Sequence, residues 1–335
     1  MDHELKPSAV RLNADLTKPR YDQNTFWGRY RHFRETASVS NAFASKDKIY
    51  QAEKLIRQYR EDGTVPEGTT EDALWKAKRL YDSSHHPETG EKIFIMGRMS
   101  FQAPGNMIIT GLMNTYRSNI PQMFLQFLNQ SFNAVVNFSN RGGDERADTR
   151  HLLLSFLIAV GTATTVAYTL PRTRLLSVKL KHYPMVERTV PLMAVISANA
   201  INIPLMRKNE LSQGLKVVDE HDKKLTTSKV AARYGVSQTL LSRILLASVV
   251  MGLPAGIMYT FEKTTLFKIA ARIPAFNPMA QIVLVGLSLV IGVPPCLAVF
   301  PQKGSLPVSS LEPEARKAVR SCNPDIQTVY YNKGL

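Results

Sequence analysis

Beyond residue 100 the chain carries five apolar, nearly charge-free stretches, at about 101–116, 152–170, 189–206, 240–261 and 280–300. No other feature narrows the possible folds so far. A bilayer core of about 30 Å takes roughly 17–25 helical residues. The last four stretches reach that length, whereas the first is short and polar at its start. The third contains Pro191 and Pro204, the fourth Gly252, Pro254 and Gly256, and the fifth Gly286, Gly292, Pro294 and Pro295. Proline removes a backbone donor and bends a helix, and in lipid the freed carbonyl needs a partner from protein or enclosed water. Repeated bends are common where helices wrap a cavity. Gly and Pro are also simply more frequent in membrane helices, so both explanations stand at this point.

Between the first two stretches, residues 123–139 follow a different pattern. At 100° per residue, Gln126, Asn129, Gln130, Asn133, Asn137 and Asn140 fall within an arc of about 100°. The remaining surface holds Phe124, Leu125, Phe127, Leu128, Phe132, Val135, Val136 and Phe138. Amides facing lipid would be costly. The segment is therefore expected to be a sixth span buried by its neighbours, or a re-entrant or interfacial amphipathic helix. The expected fold class is all-α: a multipass helical membrane protein of about five transmembrane helices with Pro/Gly breaks, plus this amide-striped helix and a helical N-terminal soluble head. The division falls at residues 1–95 for the head and 96–335 for the membrane domain.

Charge supports the division. Residues 1–100 hold 17 Lys and Arg against 15 Asp and Glu, while 101–335 hold 25 against 12. The basic surplus lies in loops between apolar runs, which suits an anionic lipid surface. It forms no basic helix or aromatic-interleaved sheet, so nucleic acid is not an expected partner. Two cysteines, Cys296 and Cys322, rule out a disulfide framework and offer no CxxC spacing. The N-terminus lacks an apolar signal core, and Asp2, Glu4 and Asp15 spoil a transit-peptide pattern, so no cleavable presequence is expected. Loop charges near the spans favour the tail side by the positive-inside rule but leave the side of the head open.

In the head, Lys46–Glu61 places Ile49, Ala52, Leu55, Ile56 and Tyr59 at helical spacing, stopped by Asp62 and Gly63. Thr69 to Asp72 resembles a capping box ahead of a helix carrying Leu74, Trp75, Ala77 and Leu80. Residues 7–34 hold Tyr21, Phe26, Trp27, Tyr30 and Phe33 without clear period. The cluster His85-His86-Pro87-Glu88-Thr89-Gly90-Glu91 reads first as a turn, with proline and glycine supplying the reversal. A metal at His86 with Glu88 or Glu91 is the sharper, less favoured alternative. Because the cluster precedes the first apolar segment, His86, Glu88, Gly90 and Glu91 are candidate hinge or gate residues, with the bends at Pro204, Pro254 and Pro294.

No nucleophile–base arrangement, phosphate loop or dinucleotide motif is present. An enzyme, a cofactor and a resident metal are therefore not expected. Arg243 is the exceptional charge inside a span; it snorkels to an interface or meets a substrate carboxylate. No Asp or Glu lies centrally in a span, which argues against a carboxylate relay for ion coupling. A citrate-like anion would want converging Arg or Lys. What remains is amide chemistry, in the stripe together with Asn199 and Asn202. Amides donate and accept and suit a small neutral or zwitterionic solute; they also serve as glue between membrane helices.

Several long strings match a known family in order: PRYDQNTFWGRYRHF (19–33), LWKAKRLYDSSHHPETGEK (74–92), GRMSFQAPGNMIITG (97–111), NQSFNAVVNFSNRGGD (129–144), AVISANAINIPLMRKNEL (194–211), SRILLASVVMGLPAGIM (242–258), VPPCLAVFPQK (293–303) and VYYNKGL (329–335). On these the chain resembles the sideroflexins, the tricarboxylate-carrier-like proteins of the mitochondrial inner membrane; the family's HPDTGE appears as HPETGE, with Glu88 for Asp. The resemblance implies a multipass inner-membrane transporter importing serine, and other small neutral amino acids, for one-carbon metabolism. Alternatives are a membrane scaffold for respiratory or iron and haem homeostasis, or a carrier of citrate-like anions. The family supplies no binding residues to carry over.

Overall fold

A computed structural model describes residues 9–12, 14–36, 38–86, 89–116, 118–139, 149–170 and 188–333. Strand β1 (Ala9–Arg11) pairs antiparallel with β2 (Thr64–Pro66). Between them run α1 (Phe26–Thr36) and α2 (Lys46–Asp62), and α3 (Glu71–Asp82) follows. Helix α2 starts where Ser45 accepts from the Lys48 N–H and stops at left-handed Gly63 (φ 66°), a conformation open to glycine. The cap of α3 is Thr70, accepting from the Ala73 N–H, one residue later than the sequence pattern suggests. Ile56, Val65 and Leu74 form a small core under β1 and β2. The aromatic residues 26–33, aperiodic in hydrophobicity, lie on α1, which packs against the last long helix rather than into this core.

The apolar half begins with α4 (Gln102–Thr115), α5 (Asn119–Ser139), α6 (Thr149–Thr169) and α7 (Val190–Met206). Short α8 (Lys208–Gln213) leads into the hairpin β3 (Leu215–Val218) and β4 (Lys224–Ser228). Then come α9 (Lys229–Ala247), a π-helical turn (Ser248–Gly252), α10 (Leu253–Phe261), α11 (Thr265–Ala270) and α12 (Phe276–Ala298). Two of the described helices are long and apolar enough to cross a membrane: Lys229–Phe261 taken through its π turn, and Phe276–Ala298. Helix α4 has 14 residues, a length of about 21 Å. Helix α5 has 21 residues, or about 31 Å, and so matches the bilayer core in length. The long helices turn large apolar side chains outward, among them Phe124, Leu157, Ile257, Leu287 and Ile291; such a surface asks for lipid or partner protein.

Small residues set the spacing of these helices. A Cβ added at Gly111 of α4 would lie 2.6 Å from Ile282 Cγ1 and 2.7 Å from its Cα on α12. Glycine is needed there because backbone meets backbone.

The tail corrects the all-α expectation. Strand β5 (Lys303–Pro307), helix α13 (Pro313–Cys322) and β6 (Thr328–Asn332) fold back onto the hairpin. The result is a four-stranded antiparallel sheet, ordered β4-β3-β6-β5. Alternation over 303–307 and 328–332 buries Gly304, Leu306, Val329 and Tyr331, leaving Tyr330 half-buried and the other neighbours exposed. Val217, Leu311 and Val319 complete its core. Ser228 Oγ and the Lys229 and Val230 N–H groups all donate to the Glu312 carboxylate, at 2.7, 2.6 and 3.4 Å. A tail carboxylate thus closes the positive N-terminus of the longest helix. Burial pushes the Glu312 carboxyl up, but these hydrogen bonds outweigh it and hold it below its ordinary value. At the opposite helix polarity, Arg29 of α1 donates from Nε to the Ala298 carbonyl at 2.8 Å, covering the C-terminus of α12.

Candidate functional site

The amide stripe is one seam of α5, and its two halves have different surroundings. Gln126, Asn129 and Gln130 are buried, Asn133 is half-buried and Asn137 is exposed. On the opposite side Phe124, Phe127, Val135 and Phe138 point outward. Gln126 Nε2 reaches the Pro191 carbonyl on α7 at 3.4 Å, and its Oε1 has no hydrogen-bond partner among the described residues. Gln122, one turn earlier on the same stripe, donates to the Met113 carbonyl at 2.5 Å and to the Tyr116 carbonyl. Its amide ties α5 back onto the end of α4. Extending the 100° arc by one turn finds Gln122 from sequence; it lies just outside the 123–139 window.

The second half of the seam opens into a cleft between α5, α6 and α7. Gln130, Asn133 and Asn137 line it from α5, Ser155 and Phe156 from α6, and Asn202 from α7. No charged side chain is among its lining residues. Ser155 is 1% exposed, and its Oγ has no hydrogen-bond partner among the described residues. The Asn202 Oδ1 is likewise buried and unpartnered there. Buried polar groups of this kind are rare, because each one left unmade costs on the order of 1–3 kcal/mol. Two of them facing one cleft create a demand for a hydrogen-bonding occupant. The cleft measures about 20 Å³, enough for a water but not for an amino acid.

The cleft joins the stripe to Asn202. Asn199 is half-buried on α7 but does not line the cleft, and neither Gln126 nor Asn129 reaches it. Asn140 lies outside the described residues. Ser155 carries no sequence signal that separates it from the other hydroxyls of its apolar stretch. Gln281 on α12, buried with an unpartnered Oε1, sits apart from this cleft and was not singled out either.

Pro204 stands between the cleft residues Asn202 and Met206 on the last turn of α7. Its missing N–H leaves the carbonyl four residues back without a helical donor. Pro254 directly follows the π turn of the long helix, and Pro294 lies inside α12; neither lines the cleft. The described ends of the 86–91 segment are tied together by backbone bonds. The His86 N–H donates to the Glu91 carbonyl at 2.8 Å, the Gly90 N–H to the His86 carbonyl at 2.9 Å, and Gly90 is left-handed at φ 67°. His86 is buried, its Nδ1 accepting from the Thr89 N–H at 3.2 Å, while Glu91 is exposed. Glu88 lies outside the described residues.

Two helices long and apolar enough to cross a membrane, with large apolar side chains turned outward, point to a helical membrane protein. Comparison with known proteins adds the family. A sequence model described as Sideroflexins matches residues 15–335. Sideroflexin-1 of Sus scrofa is 43% identical over 337 residues and 100% of both chains, and sideroflexin-1 of Homo sapiens is 42% identical over the same extent. Sideroflexin-3 of Homo sapiens is 44% identical over 326 residues, covering 97% of this chain and 98% of the relative. The chain belongs to the sideroflexin family. No solved structure matches it.

Proposed function

We propose that the chain is a transporter of the mitochondrial inner membrane that carries serine and other small neutral amino acids toward one-carbon metabolism. The carrying observation is the convergence of Gln130, Asn133, Asn137 and Asn202 with the unpartnered Ser155 hydroxyl in one charge-free cleft. A zwitterion with a hydroxyl needs donors and acceptors together, which amides supply. In this reading residues 1–95 form the head and 96–335 the membrane domain. The five apolar stretches cross the bilayer, and α5 stands among them with its seam inward. Alternating access widens this narrow cleft by moving α6 against α5 and α7, with Pro204 as the nearest bend.

A citrate carrier would turn Arg207, Lys208 and Arg243 into the cavity. Arg207 instead pairs with Glu210 and donates to the Lys333 carbonyl at 2.7 Å, Lys208 is exposed, and none of the three lines the cleft. The test is an uptake panel with the purified protein in proteoliposomes. Serine, alanine and glycine should accumulate above protein-free vesicles and citrate should not. Citrate uptake without serine uptake would reverse the assignment, and absence of any uptake would favour the scaffold.

A further inference from the structure

A second cleft, of about 440 Å³, opens between α1 and α3 and is different in character. Arg31, Arg34, Lys76 and Arg79 line it against one carboxylate, Glu35. That carboxylate is already engaged. It accepts from Tyr21 Oη at 2.7 Å and from Arg79 Nη1 at 2.6 Å. Arg31, Arg34 and Lys76 are exposed, and among the described residues none of them forms an ion pair. Three unneutralised cations thus share one concavity with the Ser38 and Ser40 hydroxyls.

Its position adds a second observation. Helix α1 is fastened to the end of membrane-length α12 by the Arg29 bond to Ala298. Trp27, Arg31 and Arg34 lie at i, i+4 and i+7 and so share one face of α1. Trp27 is 68% exposed and meets Phe26 and Tyr30 edge-on, with centroids 5.4 and 5.7 Å apart. The fold leaves Trp27 and Phe26 exposed and Tyr30 half-buried. An exposed Trp at the end of a spanning helix belongs at headgroup depth, where anionic lipids attract basic side chains.

We propose that this cleft holds the phosphate of an anionic membrane phospholipid, with the Phe26, Trp27 and Tyr30 rings seated among the neighbouring headgroups. Charge complementarity selects a phosphate, and the aromatic apron selects a lipid over a soluble phosphate. The inference rests on α12 crossing a bilayer and is independent of what the amide cleft carries.

Native mass spectrometry and thermal unfolding of the full chain in detergent test it, with phosphatidylglycerol, phosphatidylcholine and soluble glycerol phosphate as probes. Phosphatidylglycerol should be retained and should raise the melting temperature more than phosphatidylcholine does. Substituting Arg31→Gln, Arg34→Gln and Lys76→Gln should weaken phosphatidylglycerol binding by about fivefold per cation removed. All three are exposed, so the fold should survive, and the phosphatidylcholine melting curve checks that directly. A control removing equal charge elsewhere, at exposed Lys54, Lys317 and Arg320, should bind as the wild type does. Equal responses to both lipids, or equal losses in the two triple variants, would overturn the proposal. A full shift from glycerol phosphate alone would assign the cleft to a soluble phosphate and overturn the lipid.

Discussion

Around the C-terminal sheet most polar groups find partners, whereas in the α5–α6–α7 cleft Ser155 Oγ and Asn202 Oδ1 have none among the described residues. Glu312 takes three donors, the Lys333 carbonyl takes Arg207 and Thr239, and Lys303 pairs with Asp222 at 2.6 Å. Within the membrane-facing half, Ser155 and Asn202 leave oxygens unused at the same cleft. Saturated polar groups hold a fold together, and their loss costs stability. In the proposed reading, unsaturated ones sharing a cleft are held for a solute that comes and goes. On the seam of α5, Gln122 ties its amide nitrogen to backbone while its Oε1 has no partner among the described residues, and Asn133 lines the cleft.

That contrast can be broken by substitution. Asn202→Leu should lower serine uptake about ten- to hundredfold, the worth of one buried hydrogen bond, while the detergent melting temperature stays near that of the wild type. A matching loss of stability would place Asn202 with the structural amides. Gly111→Ala forces a Cβ against the α12 backbone and should cost about 1–3 kcal/mol, seen as a lower denaturation midpoint. Glu312→Gln should cost about 1 kcal/mol at neutral pH without slowing uptake per folded molecule. The folded carboxyl sits below its ordinary value near 4.5, so its contribution is complete above that value. It is lost as pH falls through the lower folded value. Stability–pH curves of the two proteins should therefore converge in acid, and a gap that widened there would refute the capping role. Glu91→Gln, on the exposed rim of a turn held by backbone bonds, should change stability by less than about 0.5 kcal/mol. A large effect on uptake from that variant would restore the segment as a gate.

The helices were legible in sequence because burial and lipid impose strong periodicity. Lys46–Asp62 and Val190–Met206 fall within a residue or so of their expected bounds. The tail sheet was not legible. Its strands are five residues or fewer, and two of them come from the loop between spans. Their pairing depends on a contact across roughly a hundred residues that no local pattern records. Helix α1 was missed for a related reason: its face is set by Arg29 reaching α12, not by a hydrophobic stripe. At the site, spacing alone gathered the stripe into one face, but it could not tell that Gln122 and Gln126 bond to neighbouring helices while Asn133 and Asn137 line space. That distinction depends on which neighbour each turn meets.

Serine uptake by proteoliposomes carrying Asn133→Leu together with Asn202→Leu, compared with wild type at equal incorporated and folded protein, addresses the main claim most directly. If the carboxamide-lined cleft is the solute path, the double variant keeps its melting temperature and loses saturable uptake. Wild-type uptake by a correctly folded double variant would contradict that claim and move the path elsewhere in the molecule.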